Sequence, residues 1–228
     1  FSKWILFVGE GKLNEPNDGV ADIDIPEELL ITEVDNLIES IIREIYGNSF
    51  ATEKDPSYFQ SRAILCPTND DVNSINDHML SRIDGEERIY LSSDSLDPSD
   101  KQNKDNPAYN PDFLNSIRFS GVPNHALRLK IDCLMNGTRL HILQMEDHVL
   151  QARILTGTRV GKLVLLPRMV LTPSESRLPF KMRRRQFPVY VAFVMTINKS
   201  QGQSLSKVGI YLPRPVFHMA NYMLQCPV

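Results

Sequence analysis

Seven consecutive apolar residues, Val189-Tyr190-Val191-Ala192-Phe193-Val194-Met195, leave this chain few options at that point. A strand with one wet face alternates apolar and polar side chains, whereas an unbroken apolar run is covered on both faces, as in a parallel sheet. Parallel strands need long crossovers, usually helical, so the run predicts an α/β fold with helices packed on a sheet. Arg62-Ala63-Ile64-Leu65-Cys66 is a second strand of this kind, ended by Pro67-Thr68-Asn69. From Asp70 a helix follows, with apolar residues at Val72, Ile75, Met79 and Ile83. Another helix is predicted behind Thr32 and Asp35, with Val34, Leu37, Ile38, Ile41, Ile42 and Ile45 on one face and Gly47 past its last turn. A short helix is predicted at the start, where Phe1, Trp4, Ile5 and Val8 share a face before Gly9.

The texture changes in the middle of the chain. Arg88 to Leu91 reads as a strand, and Ser92 to Asn110 as a long, mobile, polar excursion; the acidic stretch from Glu10 to Asp24 reads as surface. From Asn136 onward short β-like runs follow closely at Arg139–Leu143, Val149–Leu155 and Leu163–Leu166. Turn signals at Asn136-Gly137, Glu146-Asp147, Thr156-Gly157 and Val160-Gly161 separate them. Closely spaced strands of this kind predict a small β-barrel inserted into the α/β sheet.

Charge divides the chain more sharply than its net value of -3 suggests. Residues 1–117 hold 9 Lys and Arg against 24 Asp and Glu, while residues 118–228 hold 16 against 4. A basic half of domain size fits a polyanionic partner, nucleic acid first; the other reading is that the halves neutralise each other across an internal interface. No apolar run approaches the roughly eighteen residues of a membrane span, so no membrane partner is expected. Cys66, Cys133 and Cys226 form neither a Cys-x-x-Cys pair nor a disulfide framework, and the five histidines lack metal spacing, so no metal site is expected. Cys66 is expected to be a small buried hydrophobe.

Directly after the apolar run comes Thr196-Ile197-Asn198-Lys199-Ser200-Gln201-Gly202-Gln203-Ser204-Leu205, a polar corner read as leading into a helix. In an open α/β sheet ligands gather beyond the carboxyl ends of the strands, so this corner and Thr68 and Asn69 stand where a phosphate or sugar would be held. Helix capping explains the same residues equally well. Lys181-Met182-Arg183-Arg184-Arg185 brings four cations into five residues, which suits DNA phosphates or a solvated face, with interdomain packing a further role for Arg184 and Arg185.

The decamer and its preceding strand, Ala192 to Leu205, resemble a signature of the Pif-type (petite integration frequency) superfamily-one DNA helicases, in the form also carried by plant Helitron transposons. The likeness extends, in the same order, to Arg62–Asn69, Asn136–Leu140, Leu178–Phe180, Arg184–Val189 and Val208–Leu212, and to Trp4–Leu6 with Gly9–Gly11. The resemblance implies a second RecA-like (P-loop NTPase type) motor domain, residues 1–118 and 187–228, interrupted at 119–186 by a small, incomplete β-barrel of Src-homology type. It implies single-stranded DNA as partner, contacted by the loop Thr196 to Gln203, so Thr196, Asn198, Lys199, Ser200 and Gln201 are expected to bind DNA; Thr68 and Asn69, from their place beyond a strand, and Arg183 and Arg184, from the basic cluster together with the likeness, are expected to join them. Gln201, Gly202 and Gln203 would relay the nucleotide state. ATP and Mg²⁺ would serve the full-length protein, which moves 5′ to 3′ in repair, recombination or telomere maintenance. Such proteins work in the nucleus first and in mitochondria second.

The sequence departs from that pattern in ways that bear on activity. It contains no Gly-x-x-x-x-Gly-Lys-Ser/Thr phosphate loop, so the N-terminal RecA-like domain is expected as a missing partner. Alone, this chain is expected to bind no ATP or Mg²⁺, to hold no catalytic residue and to be inactive. Met219 to Val228 lacks the arginine of the family's closing motif, and between Lys130 and Asn136 one barrel segment is short. The alternatives are a non-catalytic single-stranded DNA-binding remnant and the product of a decayed gene copy.

Overall fold

Two apolar segments far apart in sequence build the centre of the molecule, seen here in a computed structural model. It describes residues 2–10, 12, 24–32, 36–53, 55–103, 106–119, 121–135, 139–173, 178–213 and 223–227. The helices are α1 (Ser2–Gly9), α2 (Leu37–Tyr46), α3 (Pro56–Gln60), α4 (Asn69–Arg82), α5 (Pro111–Ser116) and α6 (Ile197–Ser200). The first strands are β1 (Arg62–Cys66), β2 (Glu87–Leu91), β3 (Ser93–Leu96), β4 (Ala126–Lys130), β5 (Leu134–Met135), β6 (Leu140–Met145) and β7 (Val149–Ile154). They are followed by β8 (Leu163–Pro167), β9 (Met169–Leu171), β10 (Met182–Gln186), β11 (Val194–Thr196), β12 (Lys207–Tyr211) and β13 (Met223–Pro227).

The central sheet runs β11-β1-β12-β13, with β1 parallel to both of its neighbours and β13 antiparallel at the edge. The predicted parallel pair is present, but the seven-residue apolar run contributes only its last part. Its earlier residues are drawn to β5, where the Ala192 N–H donates to the Leu134 carbonyl and Val191 bridges Met135. Helices α2 and α4 cover the sheet face carrying Ile64 and Cys66. The opposite face carries Ala63, Leu65 and Met195 under Leu205 and Val208. Burial pushes the Cys66 thiol up to about 12, as suits a core position.

Helix α2 starts at Asn36, whose side chain accepts the Glu39 N–H, so its cap lies later than Thr32; the Val34–Asp35 pair is outside the described residues. It stops at Gly47, which holds φ +67 as expected for a left-handed cap. The helix sits close to β12 because Gly209 has no side chain there: a Cβ at that position would lie 2.7 Å from Ile45 Cγ1.

The β-rich middle forms three antiparallel sheets, β2-β4, β5-β6-β7-β8 and β3-β10-β9. Three chain segments each serve two of them. Only Ser92 separates β2 from β3, only Arg168 separates β8 from β9, and a turn with Asp132 at φ +67 joins β4 to β5. The described part of Ser92 to Asn110, which omits 104–105, is tied down near its start: β3 pairs with β10 in the register Arg184↔Asp94, and Asp100 accepts the Lys181 N–H. The core of these sheets, including Tyr90, Leu129, Cys133, Ile142 and Leu150, is continuous with the helix-covered face of the parallel sheet. No helix among the described residues is long and apolar enough to cross a membrane.

Candidate nucleic-acid interface

Adjacent parallel strands end together, and that brings the two polar corners side by side. Cys66 lies opposite Thr196 in the β1–β11 register, so Thr68-Asn69 and Thr196-Ile197 leave the same end of the sheet. Thr68 serves its own helix: its Oγ1 accepts the Asp71 N–H at 3.2 Å and donates to the Asp71 carboxylate. With Asp70 and Asp71 both in the first turn of α4, the capping reading of Thr68 is the one realised. Asn69 is exposed beside it.

The second corner differs from expectation in order. The helical turn α6 comes first, directly off β11; Gly202 then turns the chain at φ +80, and no helix follows, because β12 begins at Lys207. Thr196, half-buried, makes no side-chain cap to this turn. Ser200 Oγ donates to the Ile197 carbonyl at 2.7 Å, and Gln203 closes the turn through its N–H to the Ser200 carbonyl and its Nε2 to the Lys199 carbonyl. Asn198, Lys199 and Gln201 are exposed.

What fixes the corner is Asn76, which sequence reasoning passed over. Strand β1 takes the Phe193 carbonyl through the Ile64 N–H, so the backbone groups of Val194 face the open edge of the sheet. Asn76, buried on α4, satisfies both: its Nδ2 donates to the Val194 carbonyl at 3.0 Å and its Oδ1 accepts the Val194 N–H at 3.0 Å. The signal in the sequence was an amide next to Ile75 on the apolar face of α4.

A groove runs from this corner along α4. Its smaller part, about 180 Å³, is lined by Asn69, Asn73, Arg118, Asn124, Tyr190 and Lys199. Its larger part, about 360 Å³, shares Asn73, Arg118, Asn124 and Tyr190 and continues past Asp77, His125 and Arg128. The amides and cations offer hydrogen-bond donors, while Asp70 and Asp77 mark acidic points on the wall. Arg128 is committed to Glu87 through two bonds of 3.0 and 2.9 Å, whereas the Arg118 side chain is 71% exposed and only 3.9 Å from Asp70. Lys199 Nζ stands 5.6 Å from the centroid of the Tyr190 ring. The Tyr190 hydroxyl is buried without a hydrogen-bond partner among the described residues, and burial raises its pKa. Such a set can hold phosphate, sugar or base edges; among the described residues no three His, Cys, Asp or Glu side chains converge as metal ligands.

The basic cluster does not join this groove. On strand β10 side chains alternate, so five successive residues split between two faces. Arg184 points inward and is 0% exposed, ion-paired to Asp94 at 2.6 Å and donating to the carbonyls of Leu114, Ile117 and Pro123. Its expected role as a DNA contact is corrected to a structural one. Arg183 is half-buried, 3.9 Å from Asp97 on the β3 side. Asn73, Arg118, Asn124 and Tyr190 were not singled out from sequence, because they are scattered through ordinary helix and loop text and meet only in the fold.

No protein-family model matches the sequence, and no curated protein matches it. Among solved structures the chain is similar to Bacteroides Pif1 bound to single-stranded DNA, at 20% identity and a TM-score of 0.47, over 70% of this chain and 35% of that one. It is similar to the Pif1 helicase from Candida albicans at 17% identity and a TM-score of 0.49, over 92% of this chain and 47% of that one. It is also similar to Pif1 helicase from Bacteroides in complex with ADP-AlF3 and single-stranded DNA, at 16% identity and a TM-score of 0.48, over 86% and 46%. The chain spans less than half the length of each of these proteins.

Proposed function

We propose that this chain is the second RecA-like domain of a 5′ to 3′ ATP-dependent DNA helicase, and that the groove along α4 holds single-stranded DNA. The observation that carries the reading is the meeting of two remote motifs at one end of a parallel sheet, where Cys66 and Thr196 are in register and Asn69 and Lys199 line one cleft. Asn69, Asn73, Arg118 and Lys199 would donate to the sugar-phosphate track, and the Tyr190 ring would offer an apolar surface to a base. Gln201, Gly202 and Gln203, at the turn leaving α6, would carry the nucleotide state to the corner.

The three linked antiparallel sheets are read as the inserted barrel of Src-homology type at 119–186, joined from the N-terminal side by β2 and β3, which pair with β4 and β10. ATP and Mg²⁺ would be held chiefly by the N-terminal RecA-like domain, since the sequence given carries no Gly-x-x-x-x-Gly-Lys-Ser/Thr loop. Hydrolysis on this reading belongs to a complex with the N-terminal RecA-like domain. A non-catalytic single-stranded DNA-binding module is the second reading.

The test is fluorescence anisotropy of the 228-residue chain with labelled single-stranded and duplex DNA across a salt series. Single strands are expected to bind more tightly, with a clear salt slope, and Lys199→Ala is expected to weaken binding about 3- to 10-fold and lower the slope by about one. Binding that ignores strandedness, or a Lys199→Ala variant identical to the parent, would overturn the assignment.

A further inference from the structure

A second cationic cavity lies on the three-stranded sheet and shares no lining residue with the groove. It holds about 400 Å³ and is lined by Ser93, His148, Pro167, Arg168 and Arg185, with no carboxylate among them. The strand register explains how it forms. Arg185 lies directly opposite Ser93 on β3 and Val170 on β9, so these three side chains rise from the same face of the sheet. The opposite face takes Arg184 and Asp94, which neutralise each other in the interior. The nearest acid along β3 is thus turned away from Arg185.

Arg168 is held in one pose. Its Nη1 donates to the Leu91 carbonyl at 2.6 Å, its Nε donates to the Asp147 carbonyl at 3.2 Å, and its guanidinium stands 5.1 Å from the Phe187 centroid and 5.6 Å from that of Tyr90. These bonds leave its Nη2 without a protein acceptor among the described residues. Arg185 differs from its neighbours on β10: Arg183 faces Asp97 and Arg184 is paired with Asp94, whereas Arg185 makes no ion pair among the described residues. One oriented guanidinium, one guanidinium without an ion pair among the described residues, an imidazole and a hydroxyl line a carboxylate-free cavity, a set of donor types that suits a phosphate group. The acids that flank His148 in sequence, Glu146 and Asp147, are exposed and do not line it.

We propose that Arg168 and Arg185, with Ser93 and His148, form a phosphate-binding pocket separate from the groove along α4. Its ligand is a phosphate group, either free as inorganic phosphate or a monoester, or fixed in the backbone of a nucleic-acid strand. The pocket stands on its own geometry and does not depend on the assignment of the groove.

The test is an NMR titration of the isotope-labelled 228-residue chain, following the Arg168 and Arg185 Nε–H signals and the His148 ring. One arm adds inorganic phosphate at constant ionic strength held by sodium chloride; a second adds a short oligodeoxythymidylate. Saturable shifts in both arms identify a site open to free phosphate, and shifts in the oligonucleotide arm alone identify the strand backbone as the source. In either case Arg185→Gln is expected to weaken binding at the pocket roughly ten-fold or more, since a charge-assisted hydrogen bond is lost. Ser93→Ala, which leaves the cations in place, is expected to weaken it less, and Lys199→Ala to leave the phosphate arm unchanged. No saturable shift in either arm, or shifts of equal affinity in Arg185→Gln, would overturn the pocket while leaving the groove assignment untouched.

Discussion

Replacing Asn76 by alanine removes one side chain and strands two backbone groups. The Val194 N–H and carbonyl both bond the Asn76 amide at 3.0 Å, and Val194 is 1% exposed, so water cannot replace the lost partner without opening the edge of the sheet. Each buried group left unpaired costs about 1–3 kcal/mol, and alanine returns about 0.5 kcal/mol in helix propensity, giving a net loss of about 2–5 kcal/mol. That is a large share of the roughly 5–15 kcal/mol that holds a typical domain folded. Urea unfolding measures it: with m of about 2–3 kcal/mol/M the midpoint should fall by roughly 1–2 M at unchanged slope. Hydrogen exchange supplies the local readout, because the Val194 amide should lose its protection while amides of β6 and β7 fall only as far as global stability does. A loss below about 1 kcal/mol, with the Val194 amide still protected, would refute the claim that this amide is what secures β11 and the corner behind it.

Arg184→Met should cost about 3–5 kcal/mol, since it leaves Asp94 charged and fully buried, and pairing it with Asp94→Leu should restore part of that loss in a double-mutant cycle. Gly209→Ala should destabilise the chain by about 1–3 kcal/mol through overpacking against Ile45 and Ile41, and Ile45→Val beside it should relieve some of the loss. Burial lowers the pKa of His141 despite the Asp132 carboxylate 3.0 Å away, so the unfolded chain binds the extra proton more readily. Its contribution is complete above the unfolded value of about 6.5 and is lost as pH falls through the lower folded value, so His141→Gln should flatten the acid limb of a Tm profile.

The α/β class was legible because covered strands write themselves as unbroken apolar runs, and Arg62–Cys66 did become a strand followed by a helix. The extent of the last strand was not. Val189 to Ala192 are as apolar as Val194 and Met195, and only the distant Leu134 and Met135 decide that these residues leave the parallel sheet. Strand β3 was missed for a related reason. Ser93-Asp94-Ser95-Leu96 carries no β signature, and it pairs because Asp94 is the counter-charge of Arg184 ninety positions later. The corners at Asn69 and Lys199 were legible as polar exits from buried strands, but the rest of the groove wall was not, since Arg118, Asn124 and Tyr190 share no local pattern.

Buried polar residues are where the elements of this fold are joined. Asn76 ties α4 to the edge strand β11, and Arg184 ties β10 to β3 and to the carbonyls at Leu114 and Ile117. Arg139, only 2% exposed, reaches from the start of β6 to the carbonyls of Gln60 and Arg62 at 3.2 and 2.9 Å, linking the antiparallel sheets to the α3–β1 junction. Apolar contacts hold these elements together and set their register through packing, but they are less directional than hydrogen bonds. A hydrogen-bonded amide or guanidinium does not tolerate sliding, since displacement leaves buried donors and acceptors unpaired. The position of Lys199 relative to Asn69 follows the β1–β11 ladder, whose outer edge Asn76 secures, and that of Arg185 relative to Ser93 follows the β3–β10 ladder, anchored by the Arg184–Asp94 pair beneath it. Loss of Asn76 should disturb the groove and spare the pocket, whereas loss of Arg184 should disturb the pocket and, by freeing the Ile117 and Pro123 carbonyls beside Arg118 and Asn124, the far wall of the groove as well.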